Sequence, residues 1–410
     1  MTLTIHTVFK KMMLLSALTA IPIAYTVIGH SAQPFAGLLP SPHNETGRYL
    51  VSYSSEDGKQ TLSRFSSNDS HSHMIALDYL NMVAVTLTPT QKKELSRQQG
   101  ISHIEPSLKY RNVIQSNSVQ SISVTKGEQA SWGYQTVDAE IGFQNQYTGK
   151  NIKVAILDTG ISPHSDLKIA GGVSTVDYTS EYVDDNGHGT FVAGVIGALN
   201  NGKGLIGQAP DAKLYAVKIL DKQGSGTTED LAEGLNWAIQ QNVDIINMSI
   251  SFPETSPAVE QMLQSAHSKG ILMIASAGNH GTADAAADTV EYPARSPEVM
   301  GIITVDSQLE RADFSASGSE ADVAAPGVSI ISTANNGKYE LRDGTSVSAP
   351  FVTGLAAVLK QAYPNSTNEQ IRQAISSNAV DLGTPGKDNL YGYGLISYQH
   401  LFGPASPLGK

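Results

Sequence analysis

Between Asn151 and Val305 five short runs, IKVAIL, LYAVKI, VDIINM, ILMIAS and MGIITV, are apolar almost without polar alternation. The stretches between them are Gly-rich or, in DLAEGLNWAIQQ and AVEQMLQSAHSK, carry apolar residues at helical spacing. A strand buried on both faces loses the polar half of the period-2 pattern, so these runs predict a parallel sheet. Crossover helices then cover both faces, which makes the main body a three-layer α/β structure. In such sheets, sites gather at the carboxyl ends of the strands.

Upstream the pattern changes. RYLVSYS, from Arg48, and MVAVTLT, from Met82, alternate and are rich in β-branched or aromatic residues, which predicts strands. Thr88-Pro89-Thr90-Gln91 is a capping box with proline at the first helical position, opening the helix QKKELSRQ. ISHIEPS predicts a further short strand, and together these elements predict a small α+β module. The polar segment NVIQSNSVQSISVTKGEQ, residues 112–129, carries no strong pattern and predicts an exposed linker. Lys10 and Lys11 precede an apolar run from Met12 to Ile28 that is broken by Ser16, Thr19, Pro22 and Thr26. That is the pattern of a cleaved secretory signal, with a signal anchor as the alternative, and a poor one for a stable membrane span. The tail FGPASPLGK predicts an exposed end.

Composition narrows the function classes. At 410 residues, 40% hydrophobic and 16% charged, the chain is long enough for a large buried core plus a small module. It has no cysteine, which excludes disulfides, thiolate metal sites and a cysteine nucleophile. The net charge of −11 is uneven: residues 113–410 carry 17 Lys+Arg against 31 Asp+Glu, or −14, and residues 1–112 carry 10 against 7, or +3. An acidic body argues against a binder of nucleic-acid phosphates.

Three residues stand where strand-end chemistry is expected. Asp158, in LDTG, follows the strand IKVAIL; His188, in NGHGTFVAGVIGAL, opens an apolar helix; Ser346, in GTSVSAP, precedes another whose start holds Pro350. A proline is tolerated near a helix start, where the first N–H groups have no partner in any case. A serine hydroxyl becomes a nucleophile when an imidazole takes its proton, and the imidazole works best when a carboxylate fixes its tautomer. Taken singly, each residue could be a cap or a turn. Together, in Gly-rich settings, they supply one residue for each role.

The motifs DTG, HGTFVAG and GTSVSAP resemble those of the subtilisin-like serine proteases. The resemblance runs from about Glu128 to Phe402 and includes YTGKNIKVAILDTG, VDIINMSIS, ASAGNHG, APGVSI and YGYGLIS. It implies Ser346 as nucleophile, His188 as general base then acid, Asp158 as orienting carboxylate and Asn279 as an oxyanion donor. No catalytic cofactor is implied, and the substrates would be proteins or peptides.

The same resemblance makes Gly224-Ser225-Gly226 and Ser249-Ile250-Ser251 the edges that pair with an extended substrate. Ser251 stands where the family usually has glycine. Glu291, in DTVEYPA, aligns with the base of the primary specificity pocket, which suggests a preference for Lys or Arg before the scissile bond. The alternatives are that Glu291 points to solvent or pairs with Arg295. The loop LNNGKGL resembles a structural calcium site, with Asn201, the carbonyls of Leu199, Lys203 and Leu205, Asp166, and Glu128 or Gln129. A Gly-Asn turn without metal is the alternative there. His71 and His73 carry no assignment, and Asp184-Asp185 predict a solvated loop.

The resemblance also makes the α+β module a ferredoxin-like propeptide that assists folding and blocks the cleft. The expected layout is a signal at 1–32, propeptide at 33–111, a linker with the self-cleavage site at 112–127 and the catalytic domain at 128–410. Cleavage is expected near Lys126-Gly127, with Tyr110 and Arg111 as other boundaries. The expected product is a secreted monomer. A catalytically silent binder on the same fold predicts a missing catalytic residue, and none is missing. A nucleotide-binding enzyme needs a glycine fingerprint after the first strand, and LDTGISPHSD lacks it.

Overall fold

The computed structural model describes residues 46–67, 74–111, 120–122 and 127–402. The signal segment, His71 and His73, most of the linker and the C-terminal tail lie outside these residues. Among the described residues no helix is long and apolar enough to cross a membrane.

The chain opens with β1 (Gly47–Tyr53), α1 (Glu56–Ser67), β2 (Ile75–Leu77), β3 (Met82–Leu87), α2 (Pro89–Leu95) and β4 (Ile101–Pro106). These form an antiparallel sheet in the order β2-β3-β1-β4, a ferredoxin-like module. Thr88 and Gln91 make the expected capping box at α2, with Pro89 at its start. Alternation along the strands gives the sheet two apolar faces. Tyr49, Val51, Val83 and Val85 pack with Leu62 of α1 and Leu95 of α2. Leu50, Leu77, Met82 and Ala84 instead share a core with the main body.

Beyond the module come β5 (Lys109–Arg111), β6 (Gln120–Ile122), β7 (Glu128–Gln129), α3 (Trp132–Thr136), α4 (Glu140–Gln144), β8 (Lys153–Asp158) and β9 (Ile169–Ser174). The middle of the chain holds α5 (His188–Gly197), β10 (Gly204–Leu205), β11 (Lys213–Lys218), β12 (Ser225–Thr227), α6 (Thr228–Gln240), β13 (Ile245–Met248), α7 (Pro257–Ser268) and β14 (Leu272–Ser276). It ends with β15 (Val299–Val305), β16 (Ala321–Pro326), β17 (Ile330–Thr333), β18 (Tyr339–Arg342), α8 (Thr345–Ala362), α9 (Asn368–Ser377) and α10 (Tyr398–Phe402).

The five apolar runs are β8, β11, β13, β14 and β15, and with β9 and β16 they form a seven-stranded parallel sheet in the order β16-β15-β14-β13-β8-β11-β9. Strand β8 shows why its sequence lacks polar alternation. Val154 and Ile156 face the cluster holding α5 and α8, whereas Ala155 and Leu157 face the cluster holding α6 and α7. Each fully buried Leu or Ile of this kind contributes about 1.5–3 kcal/mol. From β8 the chain first builds β9 and β11 on one side and then returns to build β13 on the other. A crevice opens beyond the strand ends at such a reversal.

Two expectations change. Helix α8 starts at Thr345, so Pro350 lies inside it rather than at its start. The linker is not wholly without structure, because Gln120–Ile122 pair with β18 as a third strand of the sheet β17-β18-β6.

Candidate active site

Asp158 ends β8 and His188 begins α5, and the fold buries both almost completely. His188 Nδ1 lies 2.8 Å from Asp158 Oδ1 and 2.9 Å from Oδ2. Asp158 Oδ1 also accepts the Thr159 N–H at 2.7 Å. The imidazole is thus held by one nitrogen. The other, Nε2, is buried and has no hydrogen-bond partner among the described residues.

The local sequence explains how His188 is held. Gly187 precedes it with φ 111°, a left-handed conformation that suits glycine. Asp184, expected in a solvated loop, is instead buried, and its carboxylate gathers the start of α5. It accepts the N–H groups of Asn186 (2.9 Å), Gly187 (2.7 Å) and Thr190 (2.9 Å), and the hydroxyls of Thr190 (2.6 Å) and Thr159 (2.8 Å). An anion at a helix N-terminus satisfies donors that lack intrahelical partners and opposes the positive end of the dipole. Through Thr159 the same carboxylate ties α5 to the turn after Asp158. Asp185 is exposed, as expected of a solvated loop, and pairs with Lys218 at 2.7 Å.

Lys218 is a further buried charge near the site. It ends β11 beside Asp158 in register, is fully buried, and donates to the carbonyls of Thr159 (2.8 Å) and Leu220 (2.9 Å) as well as to Asp185. Its three ammonium donors therefore each find an acceptor. The signal was present in LYAVKI as a charge at the carboxyl end of an apolar run.

Ser346 is the second residue of α8 and is 5% exposed. Pro350 has no N–H to give to the carbonyl four residues back, which is that of Ser346. The Ser249 hydroxyl bonds that carbonyl instead, at 2.8 Å. Proline inside the helix thereby leaves the peptide of Ser346 open to a sideways tie from the chain after β13. Asn279 Oδ1 accepts the N–H and hydroxyl of Thr345, both at 2.9 Å, which turns its Nδ2 away from them. A Cβ placed on Gly344 would sit 3.1 Å from Ser346 Oγ and 3.7 Å from Asn279 Nδ2. The hydroxyl and the amide therefore border one small space, which glycine keeps open.

Of the two edges expected to pair with substrate, β12 is occupied by the chain itself. Ser225 pairs with Arg111, Gly226 with Tyr110 and Thr227 with Lys109, antiparallel. Gly224, at φ 75°, leads into this edge. Tyr110 is buried and stacks on Phe252, with ring centroids 4.9 Å apart. A side chain at Gly226 would meet the Tyr110 hydroxyl at 3.1 Å. Ser249, Ile250 and Ser251 are buried beyond β13, and the Ile250 carbonyl accepts the Ser276 hydroxyl at 3.0 Å.

Glu291 neither points to solvent nor pairs with Arg295. It is 8% exposed, and Arg295 pairs with Asp288 at 2.9 Å. Glu291 Oε1 meets His280 Nδ1 at 2.8 Å, and this bond raises the His280 pKa. Oε2 is buried with no partner among the described residues, and it would lie 3.0 Å from a Cβ on Gly278.

The loop expected to bind calcium brings three oxygen-bearing side chains together from separate segments. Asp166 is fully buried, and its carboxylate meets the Asn201 amide (3.0 Å), the Leu205 N–H (2.8 Å) and the Tyr339 hydroxyl (3.2 Å). Glu128 Oε1 accepts the N–H groups of Asn201 (2.8 Å) and Gly202 (3.2 Å). Gln129 pairs by its backbone with Leu205, and the Leu199 N–H bonds the Asp166 carbonyl at 2.9 Å. Lys203 is exposed, and its N–H meets Asn201 Oδ1 at 3.2 Å.

Comparison with known proteins adds to this geometry. Residues 149–394 match the family described as "Peptidase_S8: Subtilase family". The chain is 41% identical over 323 residues to "Subtilisin E" of Bacillus subtilis, covering 78% of this chain and 80% of that protein. It is 40% identical over 315 residues to a "Thermostable alkaline protease" of Halalkalibacterium halodurans, covering 77% and 81%. It is 38% identical over 355 residues to the "Minor extracellular protease Epr" of Bacillus subtilis, covering 85% of this chain but only 53% of that longer protein.

Proposed function

We propose that this chain, which belongs to the subtilase family of serine endopeptidases, cuts peptide bonds by acyl transfer through Ser346, His188 and Asp158. Ser346 Oγ attacks the scissile carbonyl carbon while its proton passes to His188 Nε2. Asp158 holds the imidazole by Nδ1 and stabilises its charged form. The carbonyl oxygen takes up negative charge beside Asn279 Nδ2 and the Ser346 N–H. His188 then protonates the departing amine, and water releases the acyl group by the same steps. The observation that carries this reading is the buried Asp158–His188 pair with Nε2 left unpartnered among the described residues.

The module at 33–111 acts in this reading as an inhibitory propeptide, because β5 already fills the edge at β12 as a substrate would. That placement moves the expected cut. Lys109–Arg111 lie along the edge, so the first cleavage is placed in this reading a few residues after Arg111 rather than near Lys126-Gly127. The test is the intact mass and N-terminal sequence of wild type beside Ser346→Ala. A wild type that loses its module with a new N-terminus within 112–119, while the variant stays whole, is expected. Trimming of both chains alike would sink the proposal.

Three finer assignments belong to the same reading. Secretion follows the N-terminal pattern and the word "extracellular" in the name of one relative. The acidic and amide oxygens of Asp166, Glu128 and Asn201 fit a hard cation such as calcium, with the carbonyls of Leu199, Lys203 and Leu205 completing the shell. Bound there, the cation would brace the loop after α5 against β7 and lend stability rather than chemistry. A preference for Lys or Arg before the scissile bond is supported by the buried, unpartnered Oε2 of Glu291 and opposed by its bond to His280.

A further inference from the structure

We propose that Glu229 and Glu233 on helix α6 form a proton-linked latch for the N-terminal module, which stays docked while the two carboxyls share a proton under Arg48 and loosens as that proton is lost. The proposal rests on the reading of the module as a part that leaves.

Arg48 projects from β1 across to α6. Its Nε lies 2.9 Å from each carboxylate oxygen of Glu229, and its terminal nitrogen lies 2.5 Å from Oε1. Glu233 stands one helical turn beyond Glu229 on α6, where side chains four apart are neighbours and the two carboxyls can share a hydrogen bond. Two ionised carboxylates have no donor between them, so this bond requires a proton. With Arg48 donating to both oxygens of Glu229, the proton belongs on Glu233. Burial pushes the Glu233 pKa up to about 8, with Glu229 and Asp230 adding to the rise and Arg48 opposing it. Asp230, the next acid on the helix, is pushed up to about 7, again chiefly by burial, against its hydrogen bonds to Thr227. The facing groups are Arg48 from β1, Asp177 from the loop after β9, which raises Asp230, and the buried Tyr110 phenol from β5. Glu105 of β4 is a second acid at the interface. It accepts the Ala258 N–H at the start of α7 (3.1 Å), meets His103 at 3.2 Å, and has its pKa raised by burial.

The module packs on this stretch of α6, because Leu50, Leu77, Met82 and Ala84 share one core with Leu231 and Leu235. When the module leaves, water reaches Glu233 and its pKa falls toward the ordinary 4.5. Below that value both states hold the proton and pH has no effect. Between it and about 8 the docked state keeps a proton that the open state has lost, so docking weakens by up to roughly tenfold per pH unit. Above the docked value both states are ionised and the effect levels off.

The full chain carrying Ser346→Ala, which removes the nucleophile, provides the test. Hydrogen–deuterium exchange of the β1–β4 and α6 amides, corrected for intrinsic exchange, is followed from pH 5.5 to 9. The open population should climb by at least tenfold to about pH 8 and then flatten. Adding Glu233→Gln, whose amide can donate to Glu229 at any pH, should remove more than half of that slope. An unchanged slope in Glu233→Gln, or no slope in the parent, overturns the latch. Should Glu233→Gln fail to fold, Glu233→Ala must flatten the profile too, and a retained slope refutes the proposal equally. An active chain that never loses residues 46–111 would defeat the propeptide reading while leaving the slope intact, so the two failures are separable.

Discussion

Replacing Asp184 tests whether one buried carboxylate sets the position of His188. In Asp184→Asn the shape survives, but an NH2 group now confronts donors, and Asp184→Ala removes the acceptor altogether. The N–H groups of Gly187 and Thr190 bond this carboxylate inside the protein, at 2.7 and 2.9 Å. A buried donor left unsatisfied costs about 1–3 kcal/mol, and losing an anion from a buried helix N-terminus adds up to about 2 kcal/mol. The expected loss for Asp184→Ala is therefore about 3–5 kcal/mol. At roughly 2–4 °C per kcal/mol for a domain of this size, that lowers the melting temperature by about 10 °C. The measurement belongs in a Ser346→Ala background, where self-digestion cannot mimic unfolding. In the active chain, well below the melting range, kcat should fall at least tenfold while KM moves less than twofold, because misplacing a catalytic base by about 1 Å costs on the order of a hundredfold. Melting within about 1 °C of the parent together with kcat within twofold in Asp184→Asn would refute the reasoning.

Asn279→Ala should lower kcat by about 10²–10³ with KM little changed, a figure established on a protease of this same family, and equal losses in kcat and 1/KM would count against an oxyanion role. Lys and Leu substrates turned over equally, and unchanged by Glu291→Gln, would remove the basic preference. If the preference is real, it should strengthen as pH rises past the elevated His280 pKa, since a neutral His280 no longer offsets the Glu291 charge. Excess chelator should lower the melting temperature of wild type but have little effect on Asp166→Asn. The calcium assignment fails if the parent melts unchanged in chelator.

Much of this was legible in the chain because burial on both sheet faces and tight turns both leave marks in local sequence. The five apolar runs became parallel strands, and Thr88-Pro89-Thr90-Gln91 became a helix start. Asp158 meets His188, and Asn279 meets the start of the helix that carries Ser346, because strand ends and helix starts bring each pair together. What stayed hidden depends on contacts distant in sequence. Asp184-Asp185-Asn186-Gly187 has the composition of a surface turn, and only the closing of α5 against the turn after β8 buries Asp184. The partner of Glu291 lies eleven positions back at His280, and no periodicity joins the two. The pairing of β5 with β12 spans more than a hundred residues, and a three-residue strand gives no register signal of its own.

On the proposed propeptide reading, the stack of Tyr110 on Phe252 would tie substrate choice to assembly. The slot beside β12 is filled by a residue of the same chain, so its width would be read twice, first by the module and later by incoming peptides. Widening it at Phe252 would loosen the module's hold as well as admit bulkier side chains, and a residue larger than Phe252 would press on Tyr110 before any substrate arrived. Redesigned selectivity at this slot therefore calls for a matched change at position 110, and variants chosen only for cleavage would drift toward chains that mature poorly.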